Sequence, residues 1–177
     1  MISEEMNDEF DQMYEDPKRE FKMLNNDVFR QPIRRLSHRS PITLEEGKSV
    51  KEAVEMMRKN RFGSLLITQK GILSGIFTER DVMYQVALKK KEWDKIKIET
   101  VMSADPECFR PDDSIEFIIN AMHVGAKRHI AIVDEQKHPI GVISVKDIIE
   151  FIVGYFPQEL LNLPPQPLRK TENREGA

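Results

Sequence analysis

The sequence predicts a mixed α/β (α+β) protein built from two copies of one β-α-β-β-α unit. The first observation is an internal repeat: residues 75–81 and 141–147 share a pattern of glycine, two apolar residues, a hydroxyl, two variable residues and aspartate. The second is a constant spacing upstream of these runs, where Pro41 and Pro106 lie 65 residues apart. The spacing becomes 66 inside the runs, which predicts one extra residue in the turn at 134–139, where an insertion costs little. Tandem copies of this size indicate two similar units packed against each other.

Each element of the first copy has a local signal. Ser49 is a helix-capping residue before apolar residues at helical spacing, Gly71 closes a hairpin-like turn between two apolar runs, and Thr78 opens a second helix. The predicted strand, helix, two strands and second helix lie at 42–44, 49–60, 65–68, 72–77 and 78–88. The second copy repeats this order at 107–109, 114–124, 130–133, 140–143 and 144–153.

Composition limits the class of protein. A chain of 177 residues that is 40% hydrophobic and 32% charged fits one compact domain made of two halves. No apolar run is long enough to cross a bilayer, the acidic N-terminus lacks the features of a signal peptide, and the single cysteine forms no internal disulfide. We therefore expect a cytoplasmic protein without a membrane partner. A net charge of −3 argues against a general nucleic-acid binder, and we interpret one local basic stretch as solvated surface: Arg30, Arg34, Arg35 and Arg39.

Three segments together carry a resemblance to a known family. Residues 75–81, residues 128–134 (Arg-His-Ile-Ala-Ile-Val-Asp) and residues 141–147 resemble a tandem pair of cystathionine-β-synthase (CBS) domains, often called a Bateman module. The resemblance covers about residues 33–153. It implies two repeats related by pseudo-twofold symmetry, an adenosine-containing ligand between them, and a homodimer formed through helix faces. The expected organisation is an N-terminal charged helix or arm, a first repeat, a connector, a second repeat and a proline-rich C-terminal tail, at 1–32, 33–90, 91–99, 100–154 and 155–177.

Two aspartates lie at corresponding strand-to-helix junctions. Thr78 and Asp81 in the first copy, like Ser144 and Asp147 in the second, have the spacing of a capping box, in which hydroxyl and carboxylate bond only the start of the helix. A carboxylate has two acceptor oxygens and is also suited to both hydroxyls of a ribose. The resemblance favours ribose binding, with the two hydroxyl side chains assisting. Capping stays open as an alternative, because the two roles are compatible.

Phosphate binding requires positive charge beside the aspartates. The candidate side chains are Arg80, Lys146, Arg128 and His129. The first two directly precede the aspartates, and the resemblance implies phosphate contacts for the last two. Gly63 and Ser64 hold the matching place in the first copy, so we expect unequal sites and a preference of polyphosphate ligands for the pocket of the second repeat. For the adenine, the resemblance implies contacts with the extended pieces, at Ile42, Thr43, Cys108 and Phe109. Packing in the core stays open as the alternative role of these residues.

The sequence gives little sign of catalysis. Its four histidines lack metal-ligand spacing, and the chain has no recognisable nucleophile motif, P-loop or dinucleotide-binding glycine loop. We therefore expect a sensor or regulator, not an enzyme, with no required cofactor. Its ligand would be AMP, ADP, ATP, NAD or S-adenosylmethionine, with or without Mg²⁺, and the ligand state would pass to an effector protein. The alternative is a constitutive interaction scaffold with a vestigial nucleotide pocket.

Overall fold

The structure is a computed structural model that describes residues 26–37, 39–87 and 92–155. Most of the predicted N-terminal arm, the start of the connector and nearly all of the C-terminal tail lie outside these ranges. The elements in chain order are α1 (Asn26–Phe29), β1 (Thr43–Glu45), α2 (Val50–Asn60), β2 (Ser64–Gln69), β3 (Ile72–Thr78), α3 (Glu79–Asp81), β4 (Ser103–Ala104), β5 (Cys108–Phe109), α4 (Ile115–Val124), β6 (His129–Val133), β7 (Pro139–Ser144) and α5 (Val145–Val153).

The strands form two small sheets, one centred on the hairpin of each repeat. The first has the strand order β1-β2-β3-β4 and the second has the order β5-β6-β7. In each sheet the first strand is parallel to the second, which forms an antiparallel hairpin with the third. The registers correspond, since Leu66 lies opposite Ile76 in one hairpin and Ala131 lies opposite Val142 in the other. The predicted α+β class and the twofold β-α-β-β-α order are confirmed.

The two hairpins differ by one residue. Four residues separate the paired Thr68 and Leu73 in the first repeat, whereas five separate Val133 and Pro139 in the second. The shorter turn has a left-handed backbone at Lys70 (φ 55°), the type of conformation that two-residue hairpin turns require. The predicted place of the extra residue is confirmed.

The structure departs from the predicted elements at two places. The helix expected at 78–88 is a three-residue α3 that continues as a π-helical turn, Val82–Val86, in which the Ala87 N–H donates to the Val82 carbonyl at 2.8 Å. The wider turn changes the angular positions of the side chains, and Met83, expected on the apolar face, is exposed. Strand β4 was not predicted, because a two-residue strand has no periodic pattern.

The leading segment of each repeat packs on the other repeat. Ile33, at the start of the first repeat, donates its N–H to the Asp113 carbonyl of the second at 2.8 Å. Ile98, at the start of the second repeat, donates its N–H to the Lys48 carbonyl of the first at 2.9 Å. Both isoleucines are fully buried. Because each repeat receives part of its core from the other's leading segment, Asn25–Phe151 forms a single compact unit.

The sheets of the two repeats also share an apolar cluster. Leu66, Leu73 and Ile76 of the first sheet are buried together with Ala131 and Val133 of the second. These residues belong to β2, β3 and β6. The packing brings the strand-to-helix junctions of both repeats beside the opposite repeat, which creates the cavities described next.

Candidate functional site

Two cavities lie between the repeats. Cavity A has a volume of about 320 Å³ and is lined by residues 61–64 at the α2–β2 turn of the first repeat and by residues 144–147 at the β7–α5 junction of the second. Cavity B has a volume of about 350 Å³ and is lined by residues 125–129 at the α4–β6 turn of the second repeat and by Thr78, Arg80 and Asp81 of the first. Both volumes are at the lower end of the range for small-molecule sites.

Asp147 in cavity A and Asp81 in cavity B are held in the same way. In cavity A, the Ser144 N–H and hydroxyl donate to Asp147 Oδ2 at 2.6 and 2.7 Å. In cavity B, the Thr78 N–H and hydroxyl donate to Asp81 Oδ2 at 2.8 and 2.7 Å. Oδ1 of each aspartate accepts no hydrogen bond from any residue in the described ranges. The capping interaction is therefore present at both junctions, and one carboxylate oxygen of each remains available to a ligand.

A third capping box lies outside cavities A and B. Ser49 and Glu52, at the start of α2, exchange the same bonds, with the Ser49 N–H donating to Glu52 Oε2 at 2.8 Å. That backbone hydrogen bond, supported by Lys48, lowers the pKa of Glu52 to about 2. Because neither residue lines cavity A or B, a capping box alone does not mark a ligand site.

Arg128 and His129 line both cavities. Arg128 directly precedes β6 and His129 is its first residue, so both lie in the wall that the two cavities share. Burial lowers the pKa of His129 from its usual value, and the nearby Arg128 lowers it further, so the imidazole is neutral near pH 7. Their counterparts Gly63 and Ser64 line cavity A only. The expectation that this Arg-His pair belongs to one pocket and the Gly-Ser pair to the other therefore needs correction: each cavity is built from both repeats.

The residues expected to contact adenine are separated by the structure. Ile42 lines cavity A, together with Asp147 of the other repeat. Thr43 instead lies along a surface groove beside α2. Cys108 packs against the apolar cluster between the sheets, and burial raises the pKa of its thiol. Neither Cys108 nor its neighbour Phe109 lines cavity A or B.

The reason for this separation is strand geometry. Cys108 and Phe109 are held in the sheet by β6, opposite Ala131 and Ile132. The chain reaches cavity B just before the strand, at Pro106 and Glu107. We therefore no longer assign ligand contacts to Thr43, Cys108 or Phe109.

Three charged residues that line cavity A were missed at the level of sequence. Arg39 belongs to the stretch interpreted as solvated surface, yet it lines the cavity and its guanidinium carbon lies 5.7 Å from the centre of the Phe62 ring. Arg61 ends α2 in a left-handed conformation (φ 55°), and Glu79 begins α3. No sequence signal identifies them, because they become neighbours of Asp147 only through the packing of the two repeats.

The described residues contain no group of three or more histidine, cysteine, aspartate or glutamate side chains that could hold a metal ion. Within the same ranges, no helix has the length and apolar character needed to cross a membrane.

Comparison with known families agrees with this architecture. The family model of the CBS domain matches residues 33–88 and 98–154, which together make up most of the chain. The chain belongs to the CBS-domain family. The two matches begin at Ile33 and Ile98. The leading segments that pack on the opposite repeat are therefore the first residues of the two CBS domains.

Curated relatives match this CBS pair over part of their length. The CBS domain-containing protein YhcV of Bacillus subtilis is 24% identical over 106 residues, which are 60% of this chain and 74% of YhcV. The CBS domain-containing protein CBSCBSPB3 of Arabidopsis thaliana is 28% identical over 99 residues, which are 56% of this chain and only 18% of that protein. The chain thus spans about a fifth of the length of the longer relative.

Solved structures share the fold. The CBS domain pair of protein MJ0100, in complex with 5′-methylthioadenosine and S-adenosyl-L-methionine, has a TM-score of 0.63 and 23% identity, covering 71% of this chain and 98% of that chain. The CBS domain protein PAE2072 from Pyrobaculum aerophilum, complexed with AMP, has a TM-score of 0.61 and 21% identity, covering 69% and 98%. At these identities the likeness establishes the fold alone.

Proposed function

We propose that this CBS pair is a regulatory or sensor module that binds an adenosine-containing ligand between its repeats and passes the ligand state to a partner protein. The observation that carries the proposal is the pairing, in each cavity, of an aspartate that has a free Oδ1 with the cationic Arg128. A ribose needs the first group and a phosphate needs the second. The adenosine-containing ligands of the MJ0100 and PAE2072 pairs support the same ligand class.

The proposed roles follow from the lining of each cavity. In cavity A, Asp147 with Ser144 binds the ribose, Lys146 binds phosphate, and Ile42 contacts the adenine. In cavity B, Asp81 with Thr78 binds the ribose and Arg80 binds phosphate. Arg128 and His129 contribute to phosphate binding from the wall that both cavities share. AMP, ADP, ATP and NAD contain both the ribose and the phosphates of this scheme, whereas S-adenosylmethionine contains the ribose but no phosphate. Mg²⁺ would enter only with the phosphates.

Signalling requires a surface that a partner can read. Helix α4 exposes Phe117 (53%) and Val124 (75%), and α5 exposes Ile149 (53%). Exposed apolar side chains on neighbouring elements are typical of protein interfaces. We propose that these helices form a homodimer interface and that an effector protein reads the ligand state, in the reducing cytoplasm that the single cysteine suggests. Helix α2 has no exposed large apolar side chain among its described residues, so it is not part of this proposed interface.

A scaffold without a ligand is the competing function. Its support is the capping box at Ser49 and Glu52, where a carboxylate and a hydroxyl stabilise a helix start outside both cavities. Asp81 and Asp147 would then do the same and nothing more.

Ligand titration separates the two functions. Calorimetry and thermal unfolding with AMP, ADP, ATP, NAD and S-adenosylmethionine should show binding of at least one of them. At a hundred times the dissociation constant, binding adds about 2.7 kcal/mol of stability, which raises the Tm by about 5 to 11 °C for a chain of this size. A scaffold shows no shift with any of the five compounds. Chromatography of the same samples tests for turnover, which a sensor does not produce.

A further inference from the structure

We propose that Arg39 and Arg61 make cavity A a polyphosphate site, selective for adenosine ligands with two or more phosphates, whereas cavity B has no such selectivity. The inference deepens the proposed function and rests on it for the adenosine part of the ligand. The inferred binding of the phosphates depends only on the charged side chains of cavity A.

The two cavities differ in formal charge. Cavity A is lined by four cationic side chains and by only two carboxylates, Glu79 and Asp147. The cationic side chains of cavity A are Arg39, Arg61, Arg128 and Lys146. Cavity B is lined by three cationic and three acidic side chains. A cavity with excess positive charge concentrates anions, so each added phosphate of a ligand favours cavity A.

The difference grows when existing partners are counted. In cavity B, Lys127 pairs with Glu107 at 2.8 Å, and Arg80 donates to the Ala126 carbonyl at 3.3 Å. In cavity A, Lys146 pairs with Glu150 at 3.3 Å, outside the cavity. Arg39, Arg61 and Arg128 form no ion pair within the part of the chain that the structure describes. Cavity A therefore offers three guanidinium groups without an ion pair, and cavity B offers two, Arg80 and the shared Arg128.

Pseudo-symmetry isolates the side chains responsible. The repeat spacing of 65 places Ala126 at the position of Arg61 and Ala104 at the position of Arg39. Arg61 comes directly after α2, and Ala126 lies two residues after the end of α4. Both residues have a left-handed backbone, with φ of 55° and 47°. The turn is thus left-handed in both repeats, and Arg61 gives cavity A a guanidinium group that Ala126 does not give cavity B.

The test compares ATP, adenosine and tripolyphosphate by calorimetry on the full chain and on Arg61→Ala. Alanine is accommodated at this φ, as Ala126 shows, and Arg61→Gln provides a second variant that keeps hydrogen-bond donors. The matched control, Arg58→Ala, removes the same charge on the exposed side of α2, outside both cavities. We expect Arg61→Ala to weaken the tighter ATP site and tripolyphosphate about tenfold or more and to leave adenosine unchanged, and we expect Arg58→Ala to change the tight site less than twofold.

The outcomes separate this inference from the proposed function. Equal effects of Arg61→Ala and Arg58→Ala, or ATP binding no tighter than adenosine, overturn the inference while the adenosine function stands. Tripolyphosphate binding that depends on Arg61, in a protein that does not bind adenosine, supports the anion site and removes the proposed function. A protein that binds none of the three compounds refutes both.

Discussion

Replacing Asp147 by alanine tests the central assignment, because the structure gives this carboxylate two separable roles. Its Oδ2 accepts two hydrogen bonds from Ser144, at 2.6 and 2.7 Å, and the residue is only 7% exposed. Loss of this charged cap should cost about 1 to 2 kcal/mol of folding free energy. For a chain of this size, that lowers the Tm by about 2 to 8 °C.

The second role concerns Oδ1, which is free to accept a hydrogen bond from a ribose. A hydrogen bond to a charged group contributes about 1.5 to 3 kcal/mol, so Asp147→Ala should weaken an adenosine ligand in cavity A about 10- to 150-fold. The effect should be the same for adenosine and ATP, since both contain the ribose. Calorimetry at a temperature well below the Tm of the variant measures this without interference from unfolding.

Glu52→Ala is the matched control, because it removes a capping carboxylate that has the same local bonds and lies outside both cavities. It should lower the Tm and leave ligand affinity unchanged. If Asp147→Ala also lowers the Tm without changing the affinity for any adenosine compound, Asp147 is a cap only and the ribose assignment is refuted.

Three further predictions follow from individual contacts. Since the pKa of Glu52 is lowered from 4.5 to about 2, its ionised form stabilises the fold above pH 4.5, and this contribution is lost as the pH falls from 4.5 through 2. The Tm of the wild type should therefore fall more steeply over this pH range than the Tm of Glu52→Gln. Parallel curves of Tm against pH would contradict this prediction. Arg128→Ala should weaken ATP and ADP at both cavities by about tenfold and leave adenosine unchanged; an equal loss for adenosine would mean that Arg128 supports the fold instead. Phe117→Glu, at a side chain that is 53% exposed, should convert a dimer to a monomer in light scattering with little change in Tm, and a monomeric wild type at micromolar concentration would remove the proposed interface.

The elements that the sequence predicted are those whose signals are local. Short apolar runs, the turn at Gly71 and the caps at Ser49 and Thr78 depend on residues within a few positions, and the structure has the expected strands and helix starts there. Ser114 is an instructive case. It stands at the predicted start of α4, but its hydroxyl donates to the Phe29 carbonyl at 3.0 Å and not to its own helix. The start of the helix could be predicted from neighbouring residues, whereas the hydrogen-bond partner of the Ser114 hydroxyl lies 85 residues away in the chain.

The candidate site divides along the same line. Repetition of a motif was enough to find Asp81 and Asp147, because each aspartate is fixed by a hydroxyl three residues before it. The sequence by itself thus determined the repeat, the order of elements and the two carboxylates. Only the tertiary structure decided that each cavity combines both repeats, that Arg128 lines both cavities, and that Arg39 and Arg61 lie near Asp147. The physical reason is the exchange of leading segments and the shared apolar cluster, which join residues distant in the chain through hydrophobic burial that no local pattern records.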